Sequence, residues 1–546
     1  MRLRLPAWTP GSYLIRDYVR NLEGLTARQG EHALPLRRLE PACWLLEPDP
    51  AGPPLEIHYR VLATELSVRT CHLDAEHGCL ALAGVVLEVE GERWSPHRLQ
   101  CLLPPGWRPF VALPSDADGC FLARDLDQLL DSPLEAGPHQ ELTFAVEGVP
   151  HRWVTWAGAP SDQAWLLEHC PTLLKDVEQV CRACCRLMGT ARPAADRYLF
   201  VLHLLDEGYG GLEHDDGTVL VYSRRALLKA DGYRKFLQLV AHEYLHQWNV
   251  RRLRPAELTP IDYQRPVPVA SLWFAEGITS YVDQLLPLSA GLSSEAELLE
   301  DLGQELSRYR LTPGRRVQSL RLSGEEAWVK LYRADAYAGD SQVSYYLKGS
   351  IVALCLDLHL RAAGSHLAAV LQALWHSHGR WRRGYRERDL VAACAAHAPD
   401  LADLLPQWLE SVDDPDLDGY LNTVGLLLVP MPSTKAWAGL SAAVEAGQLL
   451  ARRVHRDGPA ERAGVMVGDE LLALDGQRLR QPDQLEDQLQ ADGVQELLIC
   501  RRSRLQALQL QPEPPQPAGW TLARVAEPSA AMLARRRAWL SLVEVG

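Results

Sequence analysis

Apolar and polar residues alternate with period two through the first part of the chain. Leu55, Ile57, Tyr59 and Val61 share one face, as do Val85, Leu87 and Val89 and, later, Leu142, Phe144 and Val146. Such alternation predicts half-buried strands, and the Pro and Gly clusters between them predict turns. From about residue 160 the period lengthens. A helical run is expected over Trp165 to Met188, a strand over Tyr198–Leu202, a turn over Gly208–His214 and a second strand over Thr218–Tyr222. Leu237, Val240, Ala241, Tyr244 and Trp248 then recur at three- and four-residue steps, which predicts a helix from about Gly232 that Pro255 stops. Ala270 to Asp283 predicts another helix, despite Gly277.

Residues from about 290 to 412 read as mainly helical, opening on a capping box of Ser294 and Glu297 and interrupted by a loop from Pro313 to Gly339. A separate small module begins near residue 425, with a helix expected over Gln481–Gln490 and a strand over Glu496–Cys500. The organisation predicted is a multidomain α+β protein: a β-rich N-terminal domain (1–158), a second domain of strands and helices (159–290), a helical domain (291–424), the small module (425–512), and a linker with a C-terminal helix (513–546). No internal repeat is visible.

Composition narrows the function. A chain of 546 residues exceeds one hydrophobic core and implies three or four domains. A formal charge of -14 argues against nucleic acid, whose phosphates need a basic surface. No apolar stretch approaches the roughly 20 residues needed to span a bilayer, and the N-terminus lacks a signal-length apolar run, so a soluble, cytoplasmic protein is expected. Twelve scattered cysteines do not resemble a disulfide framework. Cys181 and Cys184 form one C-x-x-C with no second pair to complete a four-sulfur zinc site, so reduced, buried thiols are expected.

The chemistry concentrates in His242-Glu243-Tyr244-Leu245-His246. On a helix, His242 and His246 lie one turn apart on one face and can share a metal ion, with Glu243 beside it as a base. With 18 histidines in 546 residues, about one chain in 25 would carry this pattern by chance; the alternative is a buried helix whose histidines bond to backbone carbonyls. Catalytic zinc takes three protein ligands and leaves one position for water. Glu276, flanked by Trp273, Phe274, Ile278 and Tyr281, is the best third candidate, because an unpaired carboxylate in that apolar setting is costly. Its alternative is a surface glutamate paired to an arginine.

Five blocks together resemble the glycyl aminopeptidase family of zinc metallopeptidases, including its members with a C-terminal PDZ domain. They are Leu5 to Asp17 (LPAWTPGSYLIRD), Gly208 to His214 (GYGGLEH), His242 to Pro255 (HEYLHQWNVRRLRP), Leu272 to Tyr281 (LWFAEGITSY) and Tyr345 to Gly349 (YYLKG). The resemblance implies a thermolysin-like catalytic domain, His242, His246 and Glu276 as ligands of one Zn2+ per chain, and Glu243 as general base. It implies Tyr346 as the hydrogen-bond donor to the tetrahedral oxyanion, with Tyr345 the less favoured neighbour. Gly210, Gly211, Glu213 and His214 would run along bound peptide, with Glu213 holding its free amine; the wider aminopeptidases usually carry asparagine where His214 stands. Residues 425–512 resemble a bacterial PDZ domain, matched by GPAERAG and GDELLALDG, which implies a C-terminal peptide ligand at Gly439, Leu440 and Ser441. The resemblance also implies more strand-forming sequence ahead of Leu5 than is present, which would expose a sheet edge.

The function expected is therefore a zinc aminopeptidase acting on peptide substrates, with N-terminal glycine and alanine favoured by resemblance. Two alternatives are a zinc endopeptidase, and a PDZ peptide-binding adaptor with a non-catalytic metal site.

Overall fold

The computed structural model describes residues 1–156 and 162–544, so the expected boundary between residues 158 and 159 lies outside the described residues. The chain opens on β1 (Arg2–Arg4), which is paired on one side with Cys43–Leu45 and on the other with Glu88–Val89. Further on, β2 (Cys71–Leu73) and β3 (Gly78–Leu80) form a hairpin, and β4 (Leu134–Gly137) pairs with β3. Val68, Cys79, Phe110 and Ala112 from this region pack on Val154, Leu199, Val201, Leu212 and Val219, one face of the sheet that follows.

That second sheet contains β5 (Glu141–Val146), β6 (Val149–Trp156), β7 (Tyr198–Leu205), β8 (Tyr209–His214) and β9 (Gly217–Ser223), in the order β5-β6-β7-β9-β8. Its three inner strands are parallel, and β5 and β8 are antiparallel edges. The segment expected as a turn over Gly208–His214 is thus mostly the edge strand β8. Its glycines masked the strand signal, and pairing with β9 supplies what local propensity does not. One side of β8 keeps free backbone groups that can accept another strand.

Helices cover the other face. The run expected over Trp165 to Met188 is broken by Pro171, which lacks an N–H, into Asp162–His169 and α1 (Leu173–Leu187). α2 (Gly232–Leu245) ends at Leu245, well short of Pro255, because the chain tightens into successive turns, with Leu253 N–H donating to the Trp248 carbonyl at 2.7 Å. α3 (Ile278–Ser289) continues from a π-helical turn over Trp273–Gly277, and α4 (Glu295–Arg310) begins with the expected Ser294–Glu297 capping box. The loop expected from Pro313 to Gly339 contains short helical turns at Pro313–Arg316, Leu320–Glu325 and Leu331–Arg333, the second capped by the Ser319 hydroxyl. α5 (Tyr345–Ala362) crosses the start of α3 backbone to backbone: a Cβ on Gly277 would stand 2.5 Å from the Gly349 Cα. Only glycine permits that approach.

The C-terminal module has its own core of Leu449, Ala451, Val454, Leu471, Leu497 and Ile499. Its sheet begins with β10 (Leu440–Glu445) and β11 (Gln448–Val454), and α6 (Pro482–Gln488) packs near β10. Leu426–Met431, within the range expected for this module, pairs instead with Gly519–Arg524 of the tail against α4, where the Ser307 hydroxyl donates to the Trp520 carbonyl at 2.8 Å. The tail is therefore more than a linker. Its helix α7 (Ala530–Ser541) returns to the main body, where Trp539 Nε1 donates to the Tyr281 hydroxyl at 2.7 Å. Among the described residues no single helix is long and apolar enough to cross a membrane, and all twelve cysteines are free.

The core that runs through the second sheet and its helices takes in Trp8 of the N-terminal domain, which is fully buried, meets Trp328 edge-on at 4.9 Å and donates from Nε1 to the Asp262 carbonyl at 2.8 Å. Trp8→Ala is expected to destabilise the protein by about 3–5 kcal/mol in urea unfolding; a loss below about 1 kcal/mol would contradict a shared core.

Candidate active site

His242 on α2 and His246, the residue that caps its C-terminal end, stand one turn apart, with their ring centroids 4.6 Å from each other and nearly perpendicular. Glu276 reaches them from the π-helical turn, whose wider winding shifts its side chain relative to a regular helix. One Glu276 carboxylate oxygen lies 3.4 Å from His242 Nε2 and 3.2 Å from His246 Nε2. Ligands bonded to a tetrahedral zinc at about 2.05 Å stand about 3.3 Å apart, so these separations suit such an ion. The other ring nitrogens are also engaged: His242 Nδ1 donates to Asp283 Oδ2 at 2.8 Å, and His246 Nδ1 donates to the Asn249 carbonyl at 2.6 Å. Those bonds leave Nε2 of each ring for a cation.

The charges are held apart from water. Burial pushes Glu276 up, but the two imidazoles outweigh it and hold its pKa at about 2. Burial raises Glu243 to about 7, assisted by Glu213 and Glu276 and opposed by the histidines. Glu243 is 5% exposed, and its Oε2 is buried without a partner, which suits a group that exchanges a proton with a reacting atom.

Glu213 lies across the same cavity of about 430 Å³, whose lining includes Gly211, His242, Glu243, Glu276 and Tyr346. Its Oε1 is buried with no partner. Alternation along β8 turns Gly211 and Glu213 toward the cavity. A Cβ on Gly211 would stand 2.4 Å from the Glu243 carboxyl group, and one on Gly11 would stand 2.6 Å from both Glu213 carboxylate oxygens. The N-terminal domain thus closes on the site through Gly11. The adjoining cavity bounded by Gly11, Glu213, Trp8 and Tyr13 has room for about 10 Å³, roughly one water.

Tyr346 lines the main cavity and Tyr345 does not; Tyr345 is fully buried. Both hydroxyls lie 3.2 Å from the Tyr332 hydroxyl. Gly210 also lines the cavity. His214 is not brought there: its Nδ1 faces Asp131 at 3.0 Å, beside the ion pair between Arg251 and Asp131 at 2.6 Å. Gly439, Leu440 and Ser441 belong to the separate C-terminal module. Gly439 is left-handed, and Leu440 and Ser441 begin its edge strand β10.

Asp283, Gly11 and Tyr332 are site residues that the sequence patterns did not single out. Asp283 follows Glu276 by seven residues, two helical turns on one face, and that spacing is a legible signal for a carboxylate behind a ligand. Tyr332 sits in the segment expected to be a loop, and no spacing points to it.

The chain is similar to known proteins in sequence and in fold. A family model described as M61 glycyl aminopeptidase matches residues 235–352, one for the peptidase M61 N-terminal domain matches residues 1–138, and a PDZ domain model matches residues 450–502. A crystal structure of an aminopeptidase N family protein from Idiomarina loihiensis is similar over 99% of this chain and 95% of its own, with 28% identity and a TM-score of 0.90. A mutant M1 zinc metallopeptidase from Deinococcus radiodurans aligns over 76% of this chain and 87% of its own, at 15% identity and a TM-score of 0.46. No curated protein sequence matches.

Because Asp283 orients His242, Asp283→Asn is expected to weaken metal affinity about 10- to 100-fold, read by competition with a chelator. An unchanged affinity would contradict the orienting role.

Proposed function

Since the chain belongs to the M61 glycyl aminopeptidase family, carries a PDZ domain and is a metallopeptidase, we propose that it is a zinc-dependent aminopeptidase that releases N-terminal residues from peptides, with glycine and alanine favoured. His242, His246 and Glu276 would hold the zinc. When bound there, the ion would lower the pKa of a coordinated water to near 7 and polarise the substrate carbonyl. Glu243 takes the water's proton as attack proceeds and passes it to the departing amine. The Tyr346 hydroxyl donates to the developing oxyanion, an interaction typically worth about 3–4 kcal/mol. The free edge of β8 can pair with the backbone of an extended peptide.

The observation that carries the exopeptidase reading is the bare, buried Oε1 of Glu213 in the metal cavity. A substrate ammonium satisfies it with a charge-assisted hydrogen bond, and Gly11 and the small adjoining cavity leave little room for chain beyond that amine. That arrangement disfavours internal cleavage. The Gly439-Leu440-Ser441 loop and β10 would take a C-terminal peptide segment by strand addition, as a second binding site rather than as the whole function.

Peptides differing only in N-terminal acetylation test this reading. Hydrolysis of the free form and not the blocked form is expected, with Glu213→Gln reducing kcat/KM on the free form about 100-fold; comparable cleavage of blocked peptides would contradict it. Glu243→Gln is expected to keep the metal and lose about 10²- to 10⁴-fold in kcat, and full activity in that variant would remove the general-base role.

A further inference from the structure

Between the N-terminal domain and the catalytic sheet lies a second group of imidazoles with no part in the reaction above. Register creates it: His72 on β2 is paired with Cys79 on β3, and Cys79 with Glu135 on β4, so these three residues stand abreast. His203 on β7 closes over them from the catalytic sheet. Glu135, 1% exposed, is approached at 2.9 Å by His77 Nδ1, His139 Nε2 and His203 Nε2. Three imidazole nitrogens crowd the two oxygens of one buried carboxylate, which accepts from them, so each of those nitrogens carries its proton.

That assignment fixes the rest of His77. With its proton on Nδ1, its Nε2 is a bare lone pair, fully buried and without a partner. The ring is clamped by Trp156, stacked on it at 3.8 Å. His72 has the same character: its Nε2 lies 3.1 Å from Asp74 Oδ2, and its Nδ1 is buried and bare. The two rings stand 5.1 Å apart. One ligating atom from each of His72, Asp74 and His77 lies within 4.8 Å of the other two. Asp74 is held in the hairpin turn by the Glu76 and His77 amides, which donate to Oδ1 at 2.7 and 3.0 Å, and its side chain is 42% exposed, giving an entry path from solvent.

We propose that His72, Asp74 and His77 form a second divalent-cation site of the zinc class, with His77 bound through Nε2 and Glu135 as the carboxylate that orients it. A ligating imidazole that donates its other N–H to a carboxylate is the recurring arrangement around protein-bound zinc, and two imidazoles with one carboxylate leave a fourth position for water. The cation gives the bare lone pairs a partner, and its charge is balanced by Asp74 and the buried Glu135. It also pins the β2–β3 hairpin. The loop leading into that hairpin carries Arg69, which lines the active-site cavity and approaches the Gly211 carbonyl at 3.5 Å.

Zinc content of the full chain, stripped with chelator and reloaded, tests the site. About two zinc ions per chain are expected, falling to about one in His246→Ala and, separately, to about one in the double variant His72→Gln with Asp74→Asn. These hairpin residues are partly exposed, and an unchanged thermal midpoint in chelator would show that the double variant folds. Wild-type content in the double variant, or one zinc per chain that His246→Ala alone removes, would overturn the proposal. A cobalt-loaded protein with a thiolate charge-transfer band that Cys79→Ser abolishes would overturn the ligand set, placing the ion on Cys79, Glu135 and His203, which also lie within 4.8 Å of one another. A single zinc lost only in the hairpin variant would uphold this site and count against the catalytic metal.

Discussion

A carboxylate in an apolar wall is the constraint on which the active site depends. Glu276 is 1% exposed and set among Trp273, Phe274 and Ile278, all buried. Isolated there, its charge would cost several kcal/mol. Two imidazoles offset part of that cost, and under the proposed ligation a divalent cation shared with them would offset more. The same logic extends outward. Asp283 is held up near 6 by burial and faces His242, so each titratable group is matched to the next one inward.

Close backbone approaches bring these groups together. The α3–α5 crossing at Gly277 and Gly349 sets the start of α5, and with it Tyr346, beside the turn that carries Glu276. Gly211 lets β8 pass the Glu243 carboxyl group, and Gly11 lets the N-terminal domain meet Glu213. The C-terminal module is tied to the same region. Arg453 and His455 reach the buried Asp340 at 3.4 and 3.3 Å, in the segment between Tyr332 and Tyr346. Arg453 is paired with Ser441 on β10, so the strand proposed to take a peptide lies one residue pair from that contact.

Much of the centre was legible in the residue pattern because its chemistry is local. His242, Glu243 and His246 need only helical spacing, and the apolar neighbours of Glu276 marked it in advance. Strand alternation and the N-cap at Ser294 were readable for the same reason. What escaped depends on contacts distant in sequence. The glycines of β8 suggested a turn, because the pairing that makes it a strand comes from β9. α2 was expected to extend too far, since no local breaker marks Leu245. His214 adjoins Glu213 in sequence, but pleating sends it to the opposite face, against Asp131 and its partner Arg251. The imidazoles around Glu135 come from the β2–β3 turn, from the segment after β4 and from β7, and only the folded sheets bring them together.

The central claim is that His242, His246 and Glu276 form the cation site and Glu243 stands outside it. Anomalous diffraction at the zinc edge from zinc-loaded crystals tests it most directly. In the active-site cavity the account predicts one peak, about 2.0–2.2 Å from Nε2 of His242, Nε2 of His246 and a carboxylate oxygen of Glu276. A peak held instead by Glu213, Glu243 and His246, whose ligating atoms also lie within 4.8 Å of one another, or no peak in that cavity, would contradict it.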